Sequence, residues 1–128
     1  MIHPLILVAM GGAIGSMARY GISSLVVKQV NPVNFPWGTF SVNILGCMLA
    51  GVFLLVAESI QSISQEARLF VVTGLLGGFT TFSAFGIETL GLLRRGEMLI
   101  AISYASLSII VGVLAMWLSY SLLKVMFN

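Results

Sequence analysis

Charge is what this chain has least of. Only 8% of its 128 residues are Asp, Glu, Lys or Arg, whereas 59% are hydrophobic and the mean hydropathy is +1.09. A water-soluble domain needs about 25–35% charged residues on its surface, and this composition cannot supply them. Cysteine is nearly absent too: Cys47 stands alone, which rules out an intrachain disulfide and a cysteine-based metal site and leaves it as a small packing residue. The single histidine, His3, is terminal. No Ser-His-acid set, paired carboxylates, phosphate-binding glycine loop or metal-ligand spacing is present. The sequence is not that of an enzyme.

What the chain does have is four long apolar runs, at residues 5–27, 38–57, 69–93 and 99–123. About 20 residues of helix, rising about 1.5 Å each, cover the hydrocarbon core of a bilayer. The expected fold class is therefore an all-α membrane protein, with residues 1–128 forming a single four-helix transmembrane domain. The first run is not a cleavable signal, because it is too long, lacks a basic leader and carries Arg19. The connections are short: 28–37 with Asn31-Pro32 and Phe35-Pro36, the polar 58–68, and the tight turn Arg94-Arg95-Gly96-Glu97.

Four spans put both termini and loop 58–68 on one side, with Arg68 and Lys124, and put Lys28, Arg94 and Arg95 on the other. Lys/Arg asymmetry orients membrane proteins, and here it is weak. Either a partner fixes the orientation or the chain inserts both ways and two opposite copies pair. Four helices hardly enclose a pathway, so an oligomer is expected. The spacings Gly11-x-x-x-Gly15, Gly12-x-x-x-Ser16, Gly46-x-x-x-Ala50 and Gly74-x-x-x-Gly78 allow close helix approach, within one chain or between chains.

Polar groups inside spans are costly and each is a functional candidate. Arg19 lies about 12 Å of helix from Val27. It is either a cation at the mouth of an anion pathway or a structural cap on another helix. Asn43 and Thr39 are i, i+4 on one face, and the Asn43 amide offers donors without charge, or an interhelical hydrogen bond. Tyr104 and Ser108 repeat that spacing on the fourth span, and Gly112 continues the strip without a side chain. Glu88 lies close enough to the end of the third span to reach the interface.

The densest signal is Gly77-Gly78-Phe79-Thr80-Thr81-Phe82-Ser83-Ala84-Phe85. Paired glycines favour a helix break, and irregular backbone at membrane depth survives only against protein or a wet cavity. Phe82 and Phe85 share a face with Phe79 three residues earlier, beside the hydroxyls of Thr80, Thr81 and Ser83. Phenyl rings have a positive edge, so ring edges can face a small anion without holding it as tightly as a charge would.

These motifs resemble, over essentially the whole chain, the Fluc (CrcB-type) fluoride channels. The blocks that carry the resemblance are Gly11-Gly12-Ala13-Ile14-Gly15-Ser16-Met17-Ala18-Arg19-Tyr20, Phe35-Pro36-Trp37-Gly38-Thr39-Phe40-Ser41-Val42-Asn43, and Gly77 to Phe85 followed by Glu88. The resemblance implies an antiparallel, dual-topology homodimer in the cell (inner) membrane, with two fluoride pores and a third helix broken mid-membrane. It implies a structural Na⁺ held between subunits by backbone carbonyls of Gly77 and Thr80. It further implies a fluoride path along Asn43, Phe82, Phe85, Tyr104 and Ser108, with Thr39, Thr81, Ser83 and Glu88 beside it and Arg19 in the vestibule. Two positions depart from the pattern: Gly112 where some members carry a hydroxyl, leaving the last step of the track to water or backbone, and Ala84 where threonine is common.

The implied role is passive fluoride efflux that protects against fluoride toxicity. Hydrogen fluoride enters cells as a neutral acid and dissociates, and the anion is trapped unless a channel releases it. A pore for so strongly hydrated an ion must replace water with weak, sequential donors. A proton-coupled multidrug exporter would share size and helix number but needs an intramembrane carboxylate, typically in the first span, which has no Asp or Glu. A non-transporting assembly subunit would need no donor track.

Overall fold

The computed structural model describes residues 3–30, 34–60 and 63–127. The Asn31-Pro32 dipeptide and residues 61–62 of the polar loop lie outside them. Among the described residues the chain is all-helical, and four helical segments are long and apolar enough to cross a membrane. Helix α1 (Pro4–Gln29) opens with His3 at its cap, where the ring accepts a hydrogen bond from the Leu5 amide, and with proline in the first turn. Both devices suit a helix start, where backbone N–H groups lack intrahelical partners. Helix α2 (Trp37–Ser59) begins directly after Pro36, and α6 (Met98–Phe127) forms the fourth crossing.

The third crossing is composite. Helix α3 (Gln65–Arg68) is capped by the Ser64 hydroxyl, which accepts from the Ala67 amide. A π-helical stretch, Leu69–Leu76, follows, then the short α4 (Gly77–Phe79). Thr80 and Thr81 are extended, at φ −84°, ψ 157° and φ −150°, ψ 122°. Helix α5 (Phe82–Arg94) restarts with the Thr81 hydroxyl capping the Ala84 amide.

The turn after α5 is a Schellman motif. The Gly96 amide donates to the Leu93 carbonyl and the Glu97 amide to the Leu92 carbonyl, and Gly96 takes φ +79°. That left-handed conformation is why glycine stands there.

Helix α1 packs along the first half of the third crossing, and α2 packs along α6. The glycine spacings are spent inside the chain: a β-carbon on Gly11 or Gly15 would overlap the carbonyl oxygens of Phe70 and Leu75, and one on Gly51 would overlap Met116 and Ser119. Ser16 donates to the Gly78 carbonyl at 3.4 Å. Gly11, Gly15, Gly74 and Gly78 are thus packed within the chain. Few large side chains are fully buried. Leu92, Ala101 and Tyr104 form one core cluster, and Val42, Leu55 and Phe79 are also enclosed. Most remaining apolar residues face outward, as a bundle in lipid requires.

A membrane groove beside an interrupted helix

The extended pair Thr80-Thr81 sets the geometry of the site. In a continuous helix the Thr81 amide would donate to Gly77, four residues back. Here it donates instead to Asn43 Oδ1 at 3.1 Å, while Asn43 Nδ2 donates to the Thr81 carbonyl at 3.3 Å. The amide side chain of α2 thus pairs with a peptide group like a second strand. Among the described residues one Nδ2 hydrogen has no partner, and the Gly77 carbonyl has lost the Thr81 amide as its helical donor. Thr80 turns its hydroxyl back onto the Leu76 carbonyl at 2.9 Å.

The interruption also re-aims the phenylalanines. Phe79, which the sequence spacing puts on the face of Phe82, is 4% exposed, while Phe82 is 84% exposed. Phe82 and Phe85 remain together, ring centroids 5.7 Å apart, and Phe85 lies 5.1 Å from the Tyr104 ring. Phe35, from the α1–α2 connection, joins at 5.3 Å from Tyr104 and 4.5 Å from Trp37. An aromatic chain therefore runs from the Phe pair through Tyr104 to the loop. Phe35 was missed as a contributor because a loop aromatic gives no periodic signal.

A groove of about 470 Å³ collects Asn43, Gly77, Thr80, Thr81, Phe82, Phe85 and Ser108. Ser108 Oγ is buried and has no hydrogen-bond partner among the described residues. A second cavity, about 410 Å³, holds Arg19 with Ser16, Thr39 and Thr81. A third, about 420 Å³, opens toward the loops and holds Thr39 and Glu88. Thr81 is common to the first two and Thr39 to the last two.

Glu88 does not reach outward to the interface. It turns inward, where Oε1 accepts from the Thr39 hydroxyl at 2.6 Å and Oε2 from the Tyr104 hydroxyl at 2.7 Å. Tyr104 is wholly buried. The residue pattern held this triad without revealing it, since Thr39, Glu88 and Tyr104 sit on three separate helices. Ser83 is exposed, its hydroxyl 3.2 Å from that of Thr81, and it lines none of these cavities. Gly112 is buried, and a β-carbon there would press on Cys47 Sγ at about 3.3 Å, so the sulfur would have to give way.

The Gly77 and Thr80 carbonyls fit a hard cation. Gly77 has lost its usual helical donor to Asn43, both residues line one groove, and oxygen-only ligation suits ions of that class.

Helical crossings, an interrupted third segment and hydroxyl-lined cavities define a multi-pass helical membrane protein. Residues 6–120 match the family described as CrcB-like protein, Camphor Resistance (CrcB), and the chain belongs to that family. It is similar to the fluoride-specific ion channel FluC of Methylobacillus flagellatus, 49% identical over 122 residues and 95% of each chain. The proteins of the same name from Hyphomonas neptunium and Flavobacterium psychrophilum are 47% and 43% identical, over 88% and 86% of this chain and 89% and 88% of theirs.

Proposed function

We propose that this protein is a fluoride-selective channel giving passive fluoride efflux across the cell (inner) membrane and protecting against fluoride toxicity. The observation that carries the reading is the convergence in one membrane groove of Asn43, the Phe82–Phe85 pair and the unpartnered Ser108 hydroxyl. Its relatives' name, fluoride-specific ion channel, supports the same reading.

In this reading fluoride moves along the groove. The free Asn43 N–H, the Phe82 and Phe85 ring edges and the Ser108 hydroxyl each replace part of its water shell. None carries a full positive charge, so none holds the ion too long. The Thr81 hydroxyl, with Ser83 beside it, extends the donor set, Arg19 stands in a vestibule, and Thr39 and Tyr104, whose hydroxyl hydrogens go to Glu88, flank the path. The working unit is an antiparallel, dual-topology homodimer with two pores. The 84% exposure of Phe82 in the single chain supports a covering partner, and the third crossing acts as a helix broken mid-membrane. Gly77 and Thr80 carbonyls would hold a Na⁺ between subunits. When bound, that ion supplies positive charge to oppose carbonyl dipoles turned into a dry interface.

The test is fluoride-electrode efflux from loaded liposomes, with chloride run in parallel. Fluoride release without chloride release is expected. Proton-coupled cation uptake, or no flux from folded protein, would remove the channel reading. Dual topology is tested separately by labelling a cysteine in loop 58–68 in a background lacking Cys47. Modification from both sides of the membrane is expected, and modification from one side only would exclude it.

A further inference from the structure

The loop-side cavity above Glu88 has a charge problem for any anion. Glu88 lines its inner end. Glu97 stands next to it through an ion pair, Arg95 Nε to Glu97 Oε1 at 3.2 Å. The carbonyl end of α5 points the same way and carries partial negative charge. Among the described residues lining the cavity only Arg95 is cationic. Lys28 and Arg94 belong to the same end of the chain but do not line it.

Local structure fixes where that guanidinium goes. Arg95 is the C-cap of α5, and the reversal at Gly96 sends the main chain away while the side chain lies back along the helix. Its Nη1 comes within 3.9 Å of where a β-carbon on Gly91 would be. The guanidinium therefore lies against the helix at position 91, at the rim of the cavity that descends to Thr39 and Glu88. The side chain is 56% exposed, so it meets water and bulk ions directly.

We propose that Arg95 is the anion-gathering residue of this cavity. Its charge offsets part of that of Glu88, Glu97 and the α5 carbonyls, so the cavity repels an anion approaching from the loop side less strongly. The assignment rests on the fluoride-channel reading and deepens it, adding an entrance separate from the Arg19 cavity.

The experiment is single-channel fluoride conductance of the full chain in planar bilayers, with each variant first checked for monodispersity by size exclusion. Ionic strengths of about 0.01 M and about 1 M give screening lengths of about 30 Å and about 3 Å. Arg95→Gln should lower conductance about threefold at the lower strength, a modest case of steering by a charged cleft, and match the parent at the higher. Arg95→Lys should keep the parent value at both. Glu97→Gln should raise conductance at the lower strength.

Arg95→Gln and Glu97→Gln break the same ion pair. A purely structural pair would therefore move both variants in one direction at every ionic strength, and that result overturns the proposal. So does an Arg95→Gln conductance equal to the parent at low ionic strength. Absence of fluoride current in the parent itself would overturn the channel reading, and is distinguishable because it appears before any substitution.

Discussion

The two halves of the third crossing are held by opposite means. Before the interruption, the π-helical Leu69–Leu76 and α4 meet α1 backbone to backbone, at positions where Gly11, Gly15, Gly74 and Gly78 leave no room for side chains. After it, α5 is tied to α2 and α6 by side chains: Glu88 to Thr39 and Tyr104, and Phe85 against Tyr104. One seam works by excluding functional groups and the other is built from them. The interruption at Thr80-Thr81 is where the chain changes from the first to the second, and Asn43 clamps it there. A rigid glycine seam fixes the position of the break, and the freed backbone and side chains are then available for chemistry.

The largest effect expected from breaking this contrast is at Gly15. A β-carbon there would overlap the Leu75 carbonyl and crowd the Phe79 amide, both backbone atoms that cannot rotate away. Overpacking a tight interior typically costs about 1–3 kcal/mol, and backbone overlap belongs at the upper end or beyond. Gly15→Ala should lower the yield of monodisperse protein and the thermal midpoint sharply. Gly21→Ala is the matched control, on the same helix with nothing within 4 Å of the added carbon. It should be neutral or slightly stabilising, since alanine is the better helix former by about 1 kcal/mol. Equal behaviour of the two variants would mean that the glycine seam does not hold the first half.

How much of this was legible follows the same division. The crossings were readable because apolar length is a one-dimensional property: the runs 38–57 and 99–123 lie inside Trp37–Ser59 and Met98–Phe127. Gly77-Gly78 and the clustered hydroxyls drew attention to the right segment, yet the extended residues are Thr80 and Thr81 and the glycines are helical. What fixes the interruption is a side chain distant in sequence, Asn43, and no local pattern reports that. The small-residue spacings were ambiguous for a similar reason, since a glycine notch reads the same whether its partner is this chain or another. Phe79 was grouped with Phe82 by helical periodicity, which fails once the helix is interrupted. Glu88 was read by its distance from the helix end, while its hydrogen bonds turn it inward.

A smaller effect on the fold, with a larger one on function, is expected at the clamp. Asn43→Asp keeps an acceptor for the Thr81 amide but replaces the donor facing the Thr81 carbonyl with a carboxylate oxygen. Losing one such hydrogen bond and opposing two oxygens should cost about 1–3 kcal/mol, read as a lower thermal midpoint. In the proposed anion path the added negative charge should also remove most fluoride flux per folded protein. Flux near the parent value at a reduced midpoint would limit Asn43 to holding the interruption.

The smallest effect on stability, and the finest comparison, is within the aromatic pair. Phe85 touches both Tyr104 and Phe82, while Phe82 is largely exposed in the single chain. Aromatic pairs contribute about 0.5–1.5 kcal/mol beyond area burial. Phe85→Ile should therefore lower the chain's stability by about 1 kcal/mol, while Phe82→Ile should stay within about 0.5 kcal/mol of the parent, as surface changes do. Isoleucine keeps bulk but has no positive ring edge. If both rings line the path, both variants lose most fluoride efflux when it is normalised to monodisperse protein recovered from size exclusion, despite their unequal stabilities. If the rings only pack, flux per folded protein stays near the parent value in both and only the Phe85 variant melts earlier. That second outcome would make the side-chain seam structural like the glycine seam and move the path toward the Arg19 and Glu88 cavities.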